Sequence, residues 1–112
     1  MDLSSSRHGD YQMITVNAPR IDAGAAIAFK EALRARTEGG TGDVLLDLGA
    51  VDFIDSSGLG AIVAALKLVG PDRRLDLARL TPDVEKVFRL TRMHTIFTIH
   101  TALEDAAPRR AG

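Results

Sequence analysis

The chain has 112 residues, of which 46% are hydrophobic and 26% are charged, and its formal net charge is −1. This is the composition of one globular domain with a modest core, and it excludes the overall basic field typical of proteins that bind nucleic acids. The chain has no cysteine, which excludes disulfides, thiol catalysis and cysteine-ligated zinc and fits a reducing compartment.

No stretch has the pattern of a targeting or membrane segment. Residues 1–8 lack the apolar core of a secretion signal. The longest apolar-rich stretch, residues 59–69, is interrupted by Lys67 and is shorter than the roughly 20 apolar residues that span a bilayer. We therefore expect a cytoplasmic protein that does not insert into membranes.

The first half of the chain is predicted to form strands around one helix. Residues 11–17 alternate and are rich in β-forming residues, and turn residues before them indicate a hairpin with an edge strand at residues 3–7. A helix is predicted over residues 23–37, with Asp22 as its N-cap. Residues 44–48 are apolar and bounded by turns, as in a central strand covered on both faces.

The second half repeats the alternation. Residues 51–54 lead into a second helix, whose predicted buried face is Leu59, Ile62, Val63 and Leu66. Strands are predicted at residues 75–80 and 96–100, and Thr81-Pro82 is typical of the start of a third helix. Residues 101–104 resemble a capping box for a short final helix. The alternation predicts an α/β fold with a small, largely parallel or mixed sheet, and residues 108–112 are expected to form a flexible tail.

Several kinds of chemistry are disfavoured by the spacing of the residues that they need. The chain's three histidines, His8, His94 and His100, lack the helical spacing of a zinc site. A hydrolase nucleophile elbow needs glycine two residues before its serine, where this chain has other residues. Gly58-Leu59-Gly60 lacks the third glycine of a dinucleotide site, and there is no P-loop. We therefore expect no catalytic residue, no metal and no cofactor.

The stretch Asp55-Ser56-Ser57-Gly58, between a strand and a helix, supplies more polar residues than a helix cap needs. Either Asp55 or Ser56 can cap the helix, and a glycine can serve close packing. A hydroxyl at a helix N-terminus also lies near free backbone N–H groups and the positive end of the dipole, where a phosphate is well accommodated.

The run VDFIDSSGLGAIVAALKL, residues 51–68, resembles the phosphorylation-site segment of anti-sigma factor antagonists, the bacterial STAS-domain family. The resemblance extends over nearly the whole chain, including VLLDL, the Ile21-Asp22 pair, VEKVFRLTRM and IFTIHTALEDA, in the family's order. It implies a single STAS-like domain over residues 1–112. That domain would have a mostly parallel or mixed sheet of four or five strands with helices mainly on one face.

The resemblance also implies a function. The protein would be a regulatory module and not an enzyme. Unphosphorylated, it would bind an anti-sigma factor that is also a serine-protein kinase and thereby release the sigma factor. That kinase would phosphorylate Ser56, with Ser57 as the fallback, and a PP2C-type phosphatase would reverse the reaction. Asp22 matches the family's acidic residue in the loop beside the phosphosite. The implied neighbours and partner contacts are Asp22, Ala23, Gly24, Asp55, Ser57, Gly58, Leu59 and Gly60.

Two departures from the family pattern bear on partner choice. Pro19-Arg20 stands before Ile21-Asp22 where members commonly have a glycine-containing pair, and Arg92-Met93 replaces a Gly-Leu pair. Two other functions stay open at this point. One is a STAS docking subunit of a lipid or anion transport assembly, and the other is a small serine hydrolase, against which the missing glycine argues.

Overall fold

The computed structural model describes residues 1–106, and the predicted tail at residues 108–112 lies outside the described residues. The helices are α1 (Ala26–Thr37), α2 (Ser56–Leu68) and α3 (Pro82–Leu90). The strands are β1 (Leu3–His8), β2 (Tyr11–Val16), β3 (Arg20–Ile21), β4 (Val44–Asp47), β5 (Phe53–Ile54), β6 (Leu75–Ala78) and β7 (Ile99–His100). Two 3₁₀ turns follow α3, at Met93–Thr95 and Leu103–Ala106.

The main sheet has five strands in the order β1-β2-β4-β6-β7. β1 and β2 form an antiparallel hairpin, and each of the other neighbouring pairs is parallel. Every residue of β4 and β6 is buried, as expected for central strands that are covered on both faces. The predicted α/β fold with a mostly parallel, mixed sheet is confirmed.

The three helices pack on one face of this sheet. Neighbouring residues of a strand point to opposite faces, and Leu46 belongs to the main core while Leu45 lies on the other side. The main core joins side chains of all three helices, among them Phe29, Leu33, Ile62, Val84 and Phe88. The opposite face carries a smaller cluster, Leu45, Ala78 and Ala106, which the last 3₁₀ turn covers.

A separate ladder of two short strands positions the start of α2. β3 and β5 pair in parallel, with Arg20 opposite Phe53 and Ile21 opposite Ile54. The two isoleucines are buried and the other pair is exposed, so one face of the ladder packs on the core and the other faces outward. Because α1 and α2 follow the carboxyl ends of these parallel strands, their N-termini lie at the same edge.

The first helix begins later than predicted. Residues 23–25 form turns, α1 begins at Ala26, and no side chain caps it. The predicted N-cap role of Asp22 is therefore wrong. Its backbone C=O accepts a hydrogen bond of 2.9 Å from the N–H of Ala25, and its carboxylate contacts Arg20. The N–H of Ala23 donates to the carboxylate of Asp55, so a tertiary contact holds the turn before α1.

The other two helices begin where predicted, with different contacts. Thr81 precedes Pro82 at the start of α3, but its hydroxyl donates to the C=O of Val51 at 2.7 Å and does not cap the helix. In α2 the predicted Val63 and Leu66 are only partly buried. The buried face of α2 is shifted towards small residues, because α1 packs along its flank. It comprises Gly58, Leu59, Ala61, Ile62 and Ala65.

The C-terminal elements are shorter than predicted. Of residues 96–100 only Ile99 and His100 form a strand, because residues 93–95 form a 3₁₀ turn that leaves Ile96 exposed. The final helix is a 3₁₀ turn, and the N–H of Ala102 donates to the carboxylate of Asp105 at 3.2 Å. The predicted capping box is therefore wrong, since the acid one position further along the chain provides the acceptor.

Candidate functional site

The N-terminus of α2 is capped by Asp55 and not by Ser56. Asp55 has extended backbone angles (φ −104°, ψ −174°), and its Oδ1 accepts a hydrogen bond of 2.9 Å from the N–H of Gly58. Ser56 and Ser57 are the first two residues of the helix, and both are exposed. Within residues 1–106 neither serine hydroxyl takes part in a hydrogen bond to another protein group. Both hydroxyls are therefore available to a partner.

The same carboxylate ties α2 to the loop before α1. Its Oδ2 accepts a hydrogen bond of 2.9 Å from the N–H of Ala23, which lies 32 residues earlier. The backbone N–H of Gly58 is the strongest cause that lowers the pKa of Asp55, and the N–H of Ala23 adds to it. Asp55 is thus held as a carboxylate between the two helix starts, and it places Asp22, Ala23 and Gly24 beside the serines.

Gly58 is needed for close packing. A Cβ atom at this position would lie 1.9 Å from the carbonyl oxygen of Ile21 and 3.0 Å from a side-chain carbon of Ile54. Real Cβ atoms do not approach a backbone oxygen so closely, so any larger residue forces α2 away from β3. Gly58 and Leu59 are buried, so they pack inside the protein beneath Ser56 and Ser57 and are not exposed to a partner.

Gly60 differs from Gly58. It is exposed, and a Cβ atom there would have no atom within 4 Å. Glycine inside a helix lowers its stability by roughly 0.5–1 kcal/mol relative to alanine. Nothing in the intramolecular packing of the described residues accounts for this glycine, which lies on the same helix as Ser56.

Asp47 and Thr81 hold the segment that leads into the site. The carboxylate of Asp47, at the end of β4, accepts hydrogen bonds from the N–H of Gly49 at 3.0 Å and from the guanidinium of Arg79 at 2.9 and 3.0 Å. The hydroxyl of Thr81 holds the C=O of Val51. These contacts pin the loop between β4 and β5 to the carboxyl end of β6, and so fix where β5 and α2 begin.

Sequence reasoning missed one pair beside the site. The Cζ atom of Arg20 lies 4.2 Å from the centre of the Phe53 ring, and its Nε lies 3.3 Å from Oδ2 of Asp22. The two residues are 33 positions apart, and only the register of β3 on β5 brings them together. The signal available in the sequence was a large aromatic residue at an outward position of a short strand.

The histidine side chains are engaged elsewhere. His8 contacts the C=O of Leu103 at 2.7 Å, His94 lies 3.4 Å from the C=O of Phe88, and His100 lies 3.3 Å from Asp76. Within the described part of the chain, no imidazole is hydrogen-bonded to Ser56, and no group of three or more metal-ligating side chains is close enough together to hold an ion. The arrangement at α2 therefore exposes a serine hydroxyl that is not hydrogen-bonded to any histidine of the described residues.

No helix within residues 1–106 has the length and apolar character needed to cross a membrane. The family model described as the STAS domain matches residues 4–106. The chain belongs to the STAS domain family.

Two curated relatives of this STAS domain carry the name that the sequence resemblance predicted, which confirms that resemblance. A Bordetella bronchiseptica protein named as an anti-sigma factor antagonist, BtrV, is 32% identical over 88 residues, which are 78% of this chain and 76% of the relative. The anti-sigma-B factor antagonist of Staphylococcus epidermidis is 24% identical over 105 residues, which are 93% of this chain and 96% of the relative.

Solved structures share the fold of this STAS domain. A STAS-domain anti-sigma factor antagonist from Planctomyces limnophilus matches with a TM-score of 0.82 at 19% identity and 95% coverage of both chains. Bacillus SpoIIAA in its phosphorylated form matches with a TM-score of 0.63 at 16% identity, over 94% of this chain and 96% of that one. The murine anion transporter Slc26a9 matches at 0.72 and 16% identity, over 88% of this chain and 17% of the transporter. At these identities the likenesses show the fold alone.

Proposed function

We propose that this STAS domain is an anti-sigma factor antagonist that is switched by phosphorylation of Ser56. In the unphosphorylated state it binds an anti-sigma factor that is also a serine kinase, and the sigma factor is released. The kinase then phosphorylates Ser56, the complex dissociates, and a PP2C-type phosphatase restores the first state. The protein acts in the cytoplasm as a regulatory binding module.

The observation that carries this proposal is that Asp55, and not Ser56, caps α2. The cap leaves the Ser56 hydroxyl exposed and unbonded at the positive end of a helix of 13 residues. The relatives named as anti-sigma factor antagonists, and a fold neighbour that is known in a phosphorylated form, support the same interpretation.

The chemistry of the switch is divided between the two proteins. The Ser56 oxygen forms a bond to the γ-phosphorus of ATP while the bond from that phosphorus to the β–γ bridging oxygen breaks. ADP leaves with Mg²⁺, and the hydroxyl proton passes to a base on the kinase. This chain supplies the exposed nucleophile and the docking surface, while ATP binding and the base belong to the kinase, because the sequence has no P-loop and no imidazole within residues 1–106 is hydrogen-bonded to Ser56.

The effect of the phosphate is electrostatic. A phosphoserine adds roughly −1.5 to −2 charge and three acceptor oxygens. At the N-terminus of α2 this charge is tolerated, so the fold stays intact. At a desolvated contact surface the same charge is costly unless the partner offers an unpaired cation. We expect that surface to comprise the exposed residues around Ser56, namely Ala23, Gly24, Ser57 and Gly60.

The test uses the purified serine-kinase anti-sigma factors of the source organism. One of them should bind the protein and, with ATP and Mg²⁺, add one phosphate that maps to Ser56 by mass spectrometry. Ser57→Ala is the matched control, since it removes the adjacent and equally exposed hydroxyl and should still be phosphorylated. Modification of Ser57 alone, or of neither serine by any of the kinases, contradicts the proposal.

The kinase experiment also distinguishes the phosphorylation switch from the alternative function, a docking subunit in a transport assembly. The fold likeness to Slc26a9 is the observation that favours this alternative. A docking subunit would bind a membrane transporter with the same affinity whether or not Ser56 can be modified. A switch should lose its kinase complex once Ser56 is phosphorylated.

A further inference from the structure

An arginine and an aromatic ring form an exposed pair on the outward face of the β3–β5 ladder. The guanidinium of Arg20 lies 4.2 Å from the centre of the Phe53 ring, well within the range of a cation–π contact. Phe53 is 40% exposed, and the Arg20 side chain is 57% exposed. The ring faces away from the main core, so packing of the fold does not account for a large apolar side chain here.

Two contacts restrict the guanidinium. Its Cζ lies over the ring of Phe53, 4.2 Å from the ring centre, and its Nε donates to Oδ2 of Asp22 at 3.3 Å. Within the described residues these contacts leave both terminal nitrogens without a hydrogen-bond acceptor. A guanidinium presented in this way offers parallel N–H donors that match the two oxygens of a carboxylate. Because these two contacts already restrict the Arg20 side chain, it loses less entropy on binding a partner than an unrestrained arginine does.

The pair is connected to the phosphosite by short-range contacts. The carbonyl oxygen of Ile21, next to Arg20, lies against Gly58, where a Cβ atom would be only 1.9 Å away. Ala23 donates to Asp55, which caps α2. These contacts hold the ladder against the first turn of α2, and the exposed Phe53 lies three residues before the exposed Ser56, so a protein that covers Ser56 comes close to the ladder.

We infer that Arg20 and Phe53 form a second contact point for the kinase, where Phe53 packs on an apolar side chain and Arg20 binds a carboxylate. This inference rests on the proposed function and names the chemistry of the partner surface: an acidic residue beside an apolar one. Arginine is over-represented among the few residues that dominate interface affinity, and phenylalanine is enriched at protein interfaces. The pair lies outside the Asp-Ser-Ser-Gly motif, so it can distinguish one kinase from another.

The test compares Arg20→Gln and Phe53→Ala with two control variants on α3. Arg89 forms an ion pair with Glu85 at 3.3 Å, as Arg20 does with Asp22, and Leu90 is 76% exposed. Binding of each unphosphorylated variant to the kinase that modifies Ser56 is measured by calorimetry without ATP. Arg20→Gln and Phe53→Ala should each bind roughly tenfold more weakly than the wild type. Arg89→Gln and Leu90→Ala should stay within about twofold of it.

Folding and charge are checked separately. Thermal melting should show all four variants folded, and if Phe53→Ala is not, Phe53→Leu replaces it and should also bind more weakly. Raising the salt concentration should weaken the wild-type complex and Arg89→Gln alike, and Arg20→Gln less, because its carboxylate contact is gone. Arg20→Lys keeps the positive charge but loses the two parallel N–H donors of the guanidinium. Its affinity for the kinase should therefore fall between those of Arg20→Gln and the wild type.

The outcomes separate this inference from the proposed function. If the kinase binds and phosphorylates the wild type but the two ladder variants bind as tightly as the controls, the inference is wrong and the switch stands. If salt weakens kinase binding by Arg20→Gln as much as it weakens binding by the wild type, Arg20 does not bind a carboxylate of the kinase. If the protein alone forms a dimer that Arg20→Gln disrupts, the surface binds a second copy and the inference is wrong. If no kinase binds the wild type, both proposals fail.

Discussion

The carboxylate of Asp55 accepts a hydrogen bond of 2.9 Å from the backbone N–H of Ala23, which lies 32 residues earlier in the chain. The other oxygen of the same carboxylate caps α2. One side chain therefore orders both the start of α2 and the loop that lies beside it. This arrangement leaves Ser56 without a structural role among the described contacts, and it determines what each substitution at the site should do.

Substitutions at Ser56 should separate folding from binding. Ser56→Ala removes an exposed hydroxyl that makes no cap, so its free energy of unfolding should stay within about 0.5 kcal/mol of the wild type. Ser56→Asp should also stay folded, because the positive end of α2 favours an acid at this position. Repulsion from the adjacent Asp55 carboxylate offsets part of that gain. Ser56→Ala should bind the kinase and stay bound after ATP is added, because it cannot be phosphorylated. Ser56→Asp should bind the kinase more weakly than the wild type. Thermal melting and calorimetric titration measure the two properties. If Ser56→Asp binds the kinase as tightly as the wild type and Ser56→Ala binds it weakly, the electrostatic mechanism is wrong.

Replacing the cap should destabilise the protein in a way that depends on pH. Backbone N–H groups, that of Gly58 above all, lower the pKa of Asp55 below its ordinary value of 3.8. A lowered pKa in the folded state means that the stabilisation is complete above pH 3.8 and is lost as the pH falls through the folded-state pKa. Asp55→Asn should therefore unfold at a lower urea concentration than the wild type at pH 7, and the gap should narrow in acid. A gap that is constant from pH 7 to below pH 3.8 contradicts the role of the ionised carboxylate.

The two glycines of the motif should respond in opposite directions to alanine. Gly58→Ala places a Cβ atom against the backbone of Ile21 and should lower the free energy of unfolding by at least about 1–3 kcal/mol. Gly60→Ala meets no atom within 4 Å and should raise it by about 0.5–1 kcal/mol. Urea denaturation of both variants provides the comparison. If the kinase covers this face, Gly60→Ala should bind it more weakly despite its greater stability. Equal free energies of unfolding for Gly58→Ala and Gly60→Ala would show that the packing argument is wrong.

The single tyrosine should titrate at unusually high pH. Burial and the hydrogen bond of 2.7 Å to the Asp76 carboxylate raise the pKa of Tyr11 to about 12, from an ordinary value of 10.0. Because the folded-state pKa is raised, the stabilisation is complete below pH 10 and is lost as the pH rises towards 12. The ultraviolet absorbance of tyrosinate reports Tyr11 alone, since the chain has one tyrosine and no tryptophan. Asp76→Asn should move the midpoint towards 10, and a wild-type midpoint already near 10 contradicts the contact.

Much of the fold could be predicted because the deciding signals are local. The alternation of residues 11–17, the apolar run at residues 44–48 and the Thr81-Pro82 pair each predicted an element that the structure contains. These patterns follow from the period of a strand or helix and from the backbone limits of proline, which act within a few residues. The serine stretch was likewise placed correctly between a strand and a helix.

Contacts between distant segments could not be predicted. The sequence left the α2 cap open between Asp55 and Ser56 and assigned Asp22 to a helix start that it does not cap, because any short polar side chain satisfies the local rule. Only the parallel register of β3 on β5 decides that Ala23 lies within reach of Asp55 and that Arg20 stacks on Phe53. Strand register is set by which faces are buried across the whole sheet, and a side chain binds the free N–H group that this arrangement brings nearest.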